Sequence, residues 1–248
     1  SFDASYHAYY TAVYRDDEPT RRRLRAFYAR VLGRELPRDL GSQILDLGCG
    51  SGHALRYLRG AGYTALHGID INPAQVAAAV ADGLAVEHAA DTSAWLHAHP
   101  GRFTTILATD VLEHVPVAEL AHLLAAIHRA LAPGGRLVCT VPNASSNVGL
   151  HWRHIDLTHH TAFTASSLHL ALAAALQRHV EAVAADMAPG DGLAEPVHAA
   201  FAAHAPVGQR REQEARAAID VAHGDVDVFE DGAIHVGISL KERVGGNR

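Results

Sequence analysis

The stretch Ile44-Leu45-Asp46-Leu47-Gly48-Cys49-Gly50-Ser51-Gly52-His53-Ala54-Leu55 sets an apolar run against three alternating glycines, after which a helical pattern begins. Glycine lacks a Cβ, so the backbone can take positive φ and come close to a ligand. The helix start beyond it offers free N–H groups and the positive end of a dipole. A nucleotide-like guest suits such a cradle, although the G-x-G-x-G spacing departs from the G-x-G-x-x-G of dinucleotide sites. Further on, acids close or follow short apolar runs at Asp70, Asp91 and Asp110. Asp110, Glu113 and His114 stand at i, i+3 and i+4, so one helical turn puts all three on one face. Such a set can move a proton or hold a divalent cation. His159 and His160 follow in a polar segment, and imidazole titrates near neutral pH.

These residues need a scaffold, and the pattern of the chain supplies one. From Gln43 onward short apolar runs alternate with helical patterns, the signature of a parallel sheet with crossover helices. Strands are expected at 43–47, 65–70, 85–88, 103–109 and 136–141, with helices at 52–60, 73–81 and 117–131. Pro73 suits a first helical turn. Residues 144–164 read as a long polar loop, and a helix from Thr164 to about Arg178 leads to a sixth strand at 180–187. Alternation at 233–241 marks the last strand. The chain thus divides into an N-terminal helical cap (1–40), a core (41–188), a helical insertion (189–232) and a last strand with tail (233–248). Tyr6, Tyr9, Tyr10 and Tyr14 recur near helical spacing in the cap, as a packing stripe or as a flap over the site.

Composition bounds the rest. A chain of 248 residues, 48% hydrophobic, can bury a sizeable core. The net charge of −6 disfavours sequence-independent nucleic-acid binding. Cys49 and Cys139 both fall in core positions and read as buried thiols of a reducing compartment. No apolar run reaches the ~20 residues of a membrane span, and no leader pattern is evident, so a cytoplasmic location is expected.

The glycine turn, Asp70, Asp91, the Asp110-to-Val115 segment and Leu131-Ala132-Pro133-Gly134-Gly135-Arg136-Leu137 stand in the order and spacing of one family. Over roughly residues 40–185 they resemble the class I S-adenosylmethionine (SAM) methyltransferases. The resemblance implies an α/β Rossmann-like sheet of seven mostly parallel strands, order 3-2-1-4-5-7-6, with helices on both faces and the last strand antiparallel. It also implies a SAM grip of Asp46, Gly48, Gly50, Gly52, Asp70, Ile71, Asp91, Thr92, Thr109 and Asp110. In an open sheet of this kind, ligands sit beyond the carboxyl ends of the strands. Asp70 is then placed for both ribose hydroxyls, Asp91 with the Thr92 amide for the adenine edge, and Ile71 for one adenine face. Asp46 and the Thr109 carbonyl would meet the methionyl ammonium.

SAM carries its own leaving group, so the enzyme chiefly holds a nucleophile in line with the methyl. An oxygen nucleophile must also lose a proton. The Asp110-Val111-Leu112-Glu113-His114 turn with a later histidine resembles two metal-assisted O-methyltransferase families, those of ubiquinone biosynthesis and those acting on the 2′-hydroxyl of small-RNA 3′ ends. Their "E-x-x-E-H" turn begins here with the shorter Asp110. The resemblance implies a divalent ion such as Mg²⁺ or Mn²⁺ on Asp110, Glu113, His114 and His159, with His160 as alternate. Without metal, His159, His160 or His114 would serve as general base. The wording from Asp156 to Leu168 is also similar to methyltransferases of surface-glycan and natural-product synthesis.

The expected acceptor is therefore a small-molecule or glycan hydroxyl. An RNA 2′-hydroxyl and a non-catalytic scaffolding role are the alternatives, and the glycine spacing disfavours a nicotinamide oxidoreductase. The 189–232 insertion is read as a substrate lid or a homodimer contact.

Overall fold

The computed structural model describes residues 17–186, 222–228 and 233–240. Its elements are α1 (Glu18–Leu32), β1 (Ile44–Leu47), α2 (His53–Gly60), β2 (Leu66–Asp70), α3 (Pro73–Ala81), β3 (Val86–His88) and α4 (Thr92–His97). There follow β4 (Phe103–Thr109), a 3-10 turn (Leu112–His114), α5 (Val117–Ala130), β5 (Leu131–Pro142), α6 (Asn147–Ile155), α7 (Ala165–Asp186), β6 (Ala222–Val228) and β7 (Ala233–Leu240). The strands form one seven-stranded sheet in the order β3-β2-β1-β4-β5-β7-β6. β1 pairs in parallel with β2 and β4, and β7 runs antiparallel to both β5 and β6.

Alternation along the strands sends successive side chains to opposite faces. Leu45, Leu47, Ile69, Ile106, Leu137, Cys139 and Val141 pack with Leu96 of α4, with Leu120, Leu123, Leu124 and Ile127 of α5, and with Leu168 and Leu172 of α7. On the other face Ile44, Leu107 and Val138 meet Tyr28, Val31 and Leu32 of α1 and Ala54 and Leu58 of α2. All four residues of β1 are buried, as a central parallel strand covered on both faces requires. The polar member of that strand is Asp46.

Three expectations are corrected. The polar stretch 144–164 is not all loop, because it contains α6, which Ser146 caps by accepting from the Gly149 amide at 2.9 Å. A Cβ at Gly149 would meet the Asn143 carbonyl oxygen at 2.1 Å, so this glycine lets the helix lie directly on the end of β5. Residues 180–186 are not strand but the last turns of α7. Val180 and Val183 are three apart, and the alanines between and after them favour helix. The strand in sixth place is Ala222–Val228, inside the stretch expected to be a helical insertion. Its polar composition hid it, and pairing with β7 at the sheet edge makes it a strand. Residues 1–16 and 187–221 lie outside the described residues, so the tyrosine stripe and most of the insertion do too. Pro133-Gly134-Gly135 falls within β5, where the register with β4 shifts between Phe103 and Thr105.

Candidate active site

The glycine turn joins β1 to α2 at the carboxyl rim of the sheet. Gly48, Gly50 and Gly52 have φ of 69°, 53° and 88°. At Gly48 a Cβ would stand 2.6 Å from Val111 Cγ2, and at Gly52 it would stand 2.2 Å from Leu84 Cδ1. Both positions thus need glycine twice over, for conformation and for space. Gly48 binds the turn to the mouth of β4, and Gly52 binds it to the loop before β3.

Asp70 holds this turn in place. One carboxylate oxygen accepts from the Gly50 amide at 2.8 Å and the other from the Asn72 amide at 2.7 Å. Burial raises its pKa and these two amides oppose the rise. Asp46 is 1% exposed, and neither carboxylate oxygen has a hydrogen-bond partner among the described residues. Burial, and then the neighbouring Asp70, push its pKa up to about 8. A buried carboxylate without a donor, beside a second carboxylate, is a site for a cation. SAM brings an ammonium and a sulfonium, so this pair fits that cofactor.

The residues expected to meet adenine stand at the ends of β2 and β3. Ile71 is 65% exposed, and its carbonyl oxygen lies 3.0 Å from His88 Nε2. Asp91 caps α4, with one oxygen accepting from the Ala94 amide at 2.9 Å. Thr92 opens that helix.

At the mouth of β4 the backbone turns sharply. Asp110 has φ of 55°, and among the described residues it alone of the non-glycines has positive φ. Asp tolerates this conformation better than most residues, and such outliers gather at functional sites. Thr140 holds it there. The Asp110 amide donates to the Thr140 carbonyl at 3.1 Å, and the Thr140 hydroxyl donates to the Asp110 carboxylate at 2.9 Å. Thr109 stands beside Thr140 in the sheet register.

The expected single face of Asp110, Glu113 and His114 is drawn differently in three dimensions. The turn is 3-10 rather than α and begins after Asp110. Glu113, His114 and His159 each offer a ligand atom within 4.8 Å of the other two, and Asp110 is outside this set. Glu113 is 1% exposed, and its carboxylate oxygens have no hydrogen-bond partner among the described residues. Burial first, then Asp110 and Asp156, raise its pKa well above the usual range. The returning segment is fastened to the turn, since the His160 and Thr161 amides both donate to the Glu113 carbonyl, at 2.8 and 3.0 Å. This brings His159 inward, where its ring meets that of His114 edge-on at 4.6 Å, and leaves His160 exposed.

Thr158 and Asp156 have roles that the sequence reading did not assign. The Thr158 hydroxyl donates to Asp156 Oδ1 at 2.6 Å and lies 2.7 Å from His114 Nδ1. A hydroxyl has one proton, so His114 Nδ1 must be the donor to Thr158. The Nε2 lone pair is then available to a cation, an arrangement usual behind histidine ligands. Burial and His159 lower the His114 pKa to about 4, so the ring is neutral at physiological pH. Asn147, Leu150, His151, His154 and Ile155 of α6 line a groove of about 400 Å³.

A sheet in this order, with a glycine turn and strand-end acids at its carboxyl rim, defines the class I SAM-dependent methyltransferases. A family model described as "Methyltransferase domain" matches residues 17–175, and the chain belongs to that family. Ubiquinone biosynthesis O-methyltransferases are similar to part of it. That of Pseudomonas aeruginosa is 34% identical over 110 residues, 42% of this chain and 45% of that protein. That of Azotobacter vinelandii is 36% identical over the same lengths. The chain thus spans about 45% of the length of these curated relatives. Among solved structures, a SAM-dependent methyltransferase from Archaeoglobus fulgidus superposes with a TM-score of 0.62 at 16% identity, covering 94% of this chain and 99% of that one. A Haloferax volcanii putative methyltransferase, solved in complex with the Trm112 methyltransferase activator, matches with a TM-score of 0.58 at 18% identity, covering 98% of each chain. At these identities the likeness concerns the fold. Among the described residues no helix is long and apolar enough to cross a membrane.

Proposed function

We propose that this protein transfers the SAM methyl group to a hydroxyl of a small-molecule acceptor, with a divalent cation held by Glu113, His114 and His159. The observation that carries the reading is the buried Glu113 carboxylate, without a hydrogen-bond donor among the described residues, within 4.8 Å of two imidazoles at the mouth of β4. Mg²⁺ or Mn²⁺ there would supply Lewis acidity that makes an acceptor hydroxyl easier to ionise. The residues of the chain perform the rest. Asp46 and Asp70 hold the cationic cofactor, and Thr158 keeps His114 in the tautomer that presents Nε2. His114 is a poor proton acceptor with a pKa of about 4, since a useful base lies near the working pH. With Glu113, His114 and His159 on the cation, exposed His160 at the rim is the histidine left to take the acceptor proton, and His159 would serve only without the cation.

The relatives named for ubiquinone biosynthesis support an acceptor hydroxyl on a small molecule, with an aromatic diol as the first compound to try. The test is methylation of 3,4-dihydroxybenzoate and of a panel of sugars, read by mass spectrometry with and without EDTA. EDTA and Glu113→Gln should each abolish product, and Mn²⁺ should restore the chelated enzyme. Full turnover in chelator would refute the metal assignment and leave His159 as direct base.

A further inference from the structure

The adenine side of the cofactor grip depends on α4, whose six residues make it too short to hold its own position. Its anchor is Trp95. The indole N–H donates to Glu87 Oε2 at 3.0 Å, and the other Glu87 oxygen lies 3.1 Å from His67 Nε2. The indole ring stacks on His99 at 3.9 Å, on His67 at 5.4 Å and on Phe103 at 6.1 Å. His99 in turn donates from Nδ1 to the Trp95 carbonyl at 2.8 Å. One aromatic side chain therefore ties the helix to β2, β3 and the start of β4. It stands one turn beyond Asp91 and Thr92.

We propose that Trp95 and Glu87 are positioning residues that set the base specificity of the cofactor site, by fixing the start of α4 against the adenine edge. The proposal rests on the reading of Asp91 and Thr92 as the adenine contact. Asp91 uses one oxygen to cap α4, which leaves the other to accept from an exocyclic amine. If the helix shifts by a fraction of an ångström, that acceptor no longer meets the amine. A carboxylate facing a carbonyl instead of an amine is repelled, so an aligned Asp91 rejects hypoxanthine.

The test compares S-adenosylhomocysteine with S-inosylhomocysteine, which carries a carbonyl in place of the 6-amino group, by calorimetry on the full chain. The wild type should favour the adenosyl ligand, and Asp91→Ala should erase the preference. Trp95→Phe keeps the ring and loses the N–H, and Glu87→Ala loses the acceptor. Each should reduce the preference about threefold to tenfold, the range for one hydrogen bond. Glu87→Gln retains an amide oxygen for the indole and should keep the preference. If Asp91→Ala erases the preference while Trp95→Phe and Glu87→Ala leave it intact, or weaken both ligands equally, the proposal is overturned and the Asp91 reading stands. A wild type that binds both ligands alike overturns the Asp91 reading as well.

Discussion

Asp46 gives the sharpest prediction, because its environment is wrong for a carboxylate until a cation arrives. Its pKa rises from 3.8 to about 8, with burial the main cause and the Asp70 charge the second. At about 1.4 kcal/mol per unit, this shift corresponds to on the order of 5 kcal/mol disfavouring the ionised form. Without cofactor, roughly nine-tenths of the molecules carry a proton on Asp46 at pH 7. A cofactor ammonium beside it reverses the preference, so binding at pH 7 should release about one proton, falling towards none above pH 9. Calorimetry with S-adenosylhomocysteine in phosphate and in Tris, whose ionisation heats differ, reads this number directly. Asp46→Asn should abolish the release and weaken binding.

The same residue shapes stability. A folded pKa above the unfolded one gives a contribution that is complete below pH 4 and is lost as pH rises towards 8. Cofactor-free Asp46→Asn should therefore unfold at a higher temperature than wild type at pH 8.5, with a smaller difference at pH 5. Tight binding with no proton release at pH 7, or an equal release from Asp46→Asn, would refute the argument.

Other expectations follow from the site. Gly48→Ala combines positive φ with a contact to Val111 and should cost about 1–3 kcal/mol in urea unfolding; Val111→Ala in the same chain should recover part of that loss, and strict additivity would count against the contact. Thr158→Val removes the acceptor for His114 Nδ1, so ¹⁵N NMR should show a changed tautomer balance, and Mn²⁺ affinity should fall about tenfold. His114, with its pKa lowered from 6.5 to about 4, contributes stability that is present above pH 6.5 and lost as pH falls towards 4. His114→Gln should flatten that part of the melting-temperature profile.

Much of the sheet was legible in the sequence because buried parallel strands are short apolar runs, and their ends are marked by what must happen there. β4 is found at 103–109 as expected, and α3 spans 73–81 between its proline and its end. The glycine turn was legible for the same reason, since alternate glycines after an apolar run have few other uses. Elements with weak composition signals were not. α6 depends on a cap and on a glycine pressed against Asn143, and β6 depends on a neighbour that comes later in the chain. α7 outlasted its expected end because two valines three apart serve a helix as well as a strand.

The division is clearest at the mouth of β4. Residue types alone determined that carboxylates and imidazoles would gather there, because a strand end followed by Asp110, Glu113 and His114 must place them on the rim. Which of them face one another was decided by the folded chain. A left-handed Asp110 held by Thr140 turns that carboxylate out of the cluster, and two amides from the 160–161 backbone draw His159 in. Helical spacing assumes a helix from Asp110, two residues earlier than the turn that starts at Leu112. Contacts between segments distant in the chain set where it begins, since Thr140 of β5 holds the left-handed backbone of Asp110.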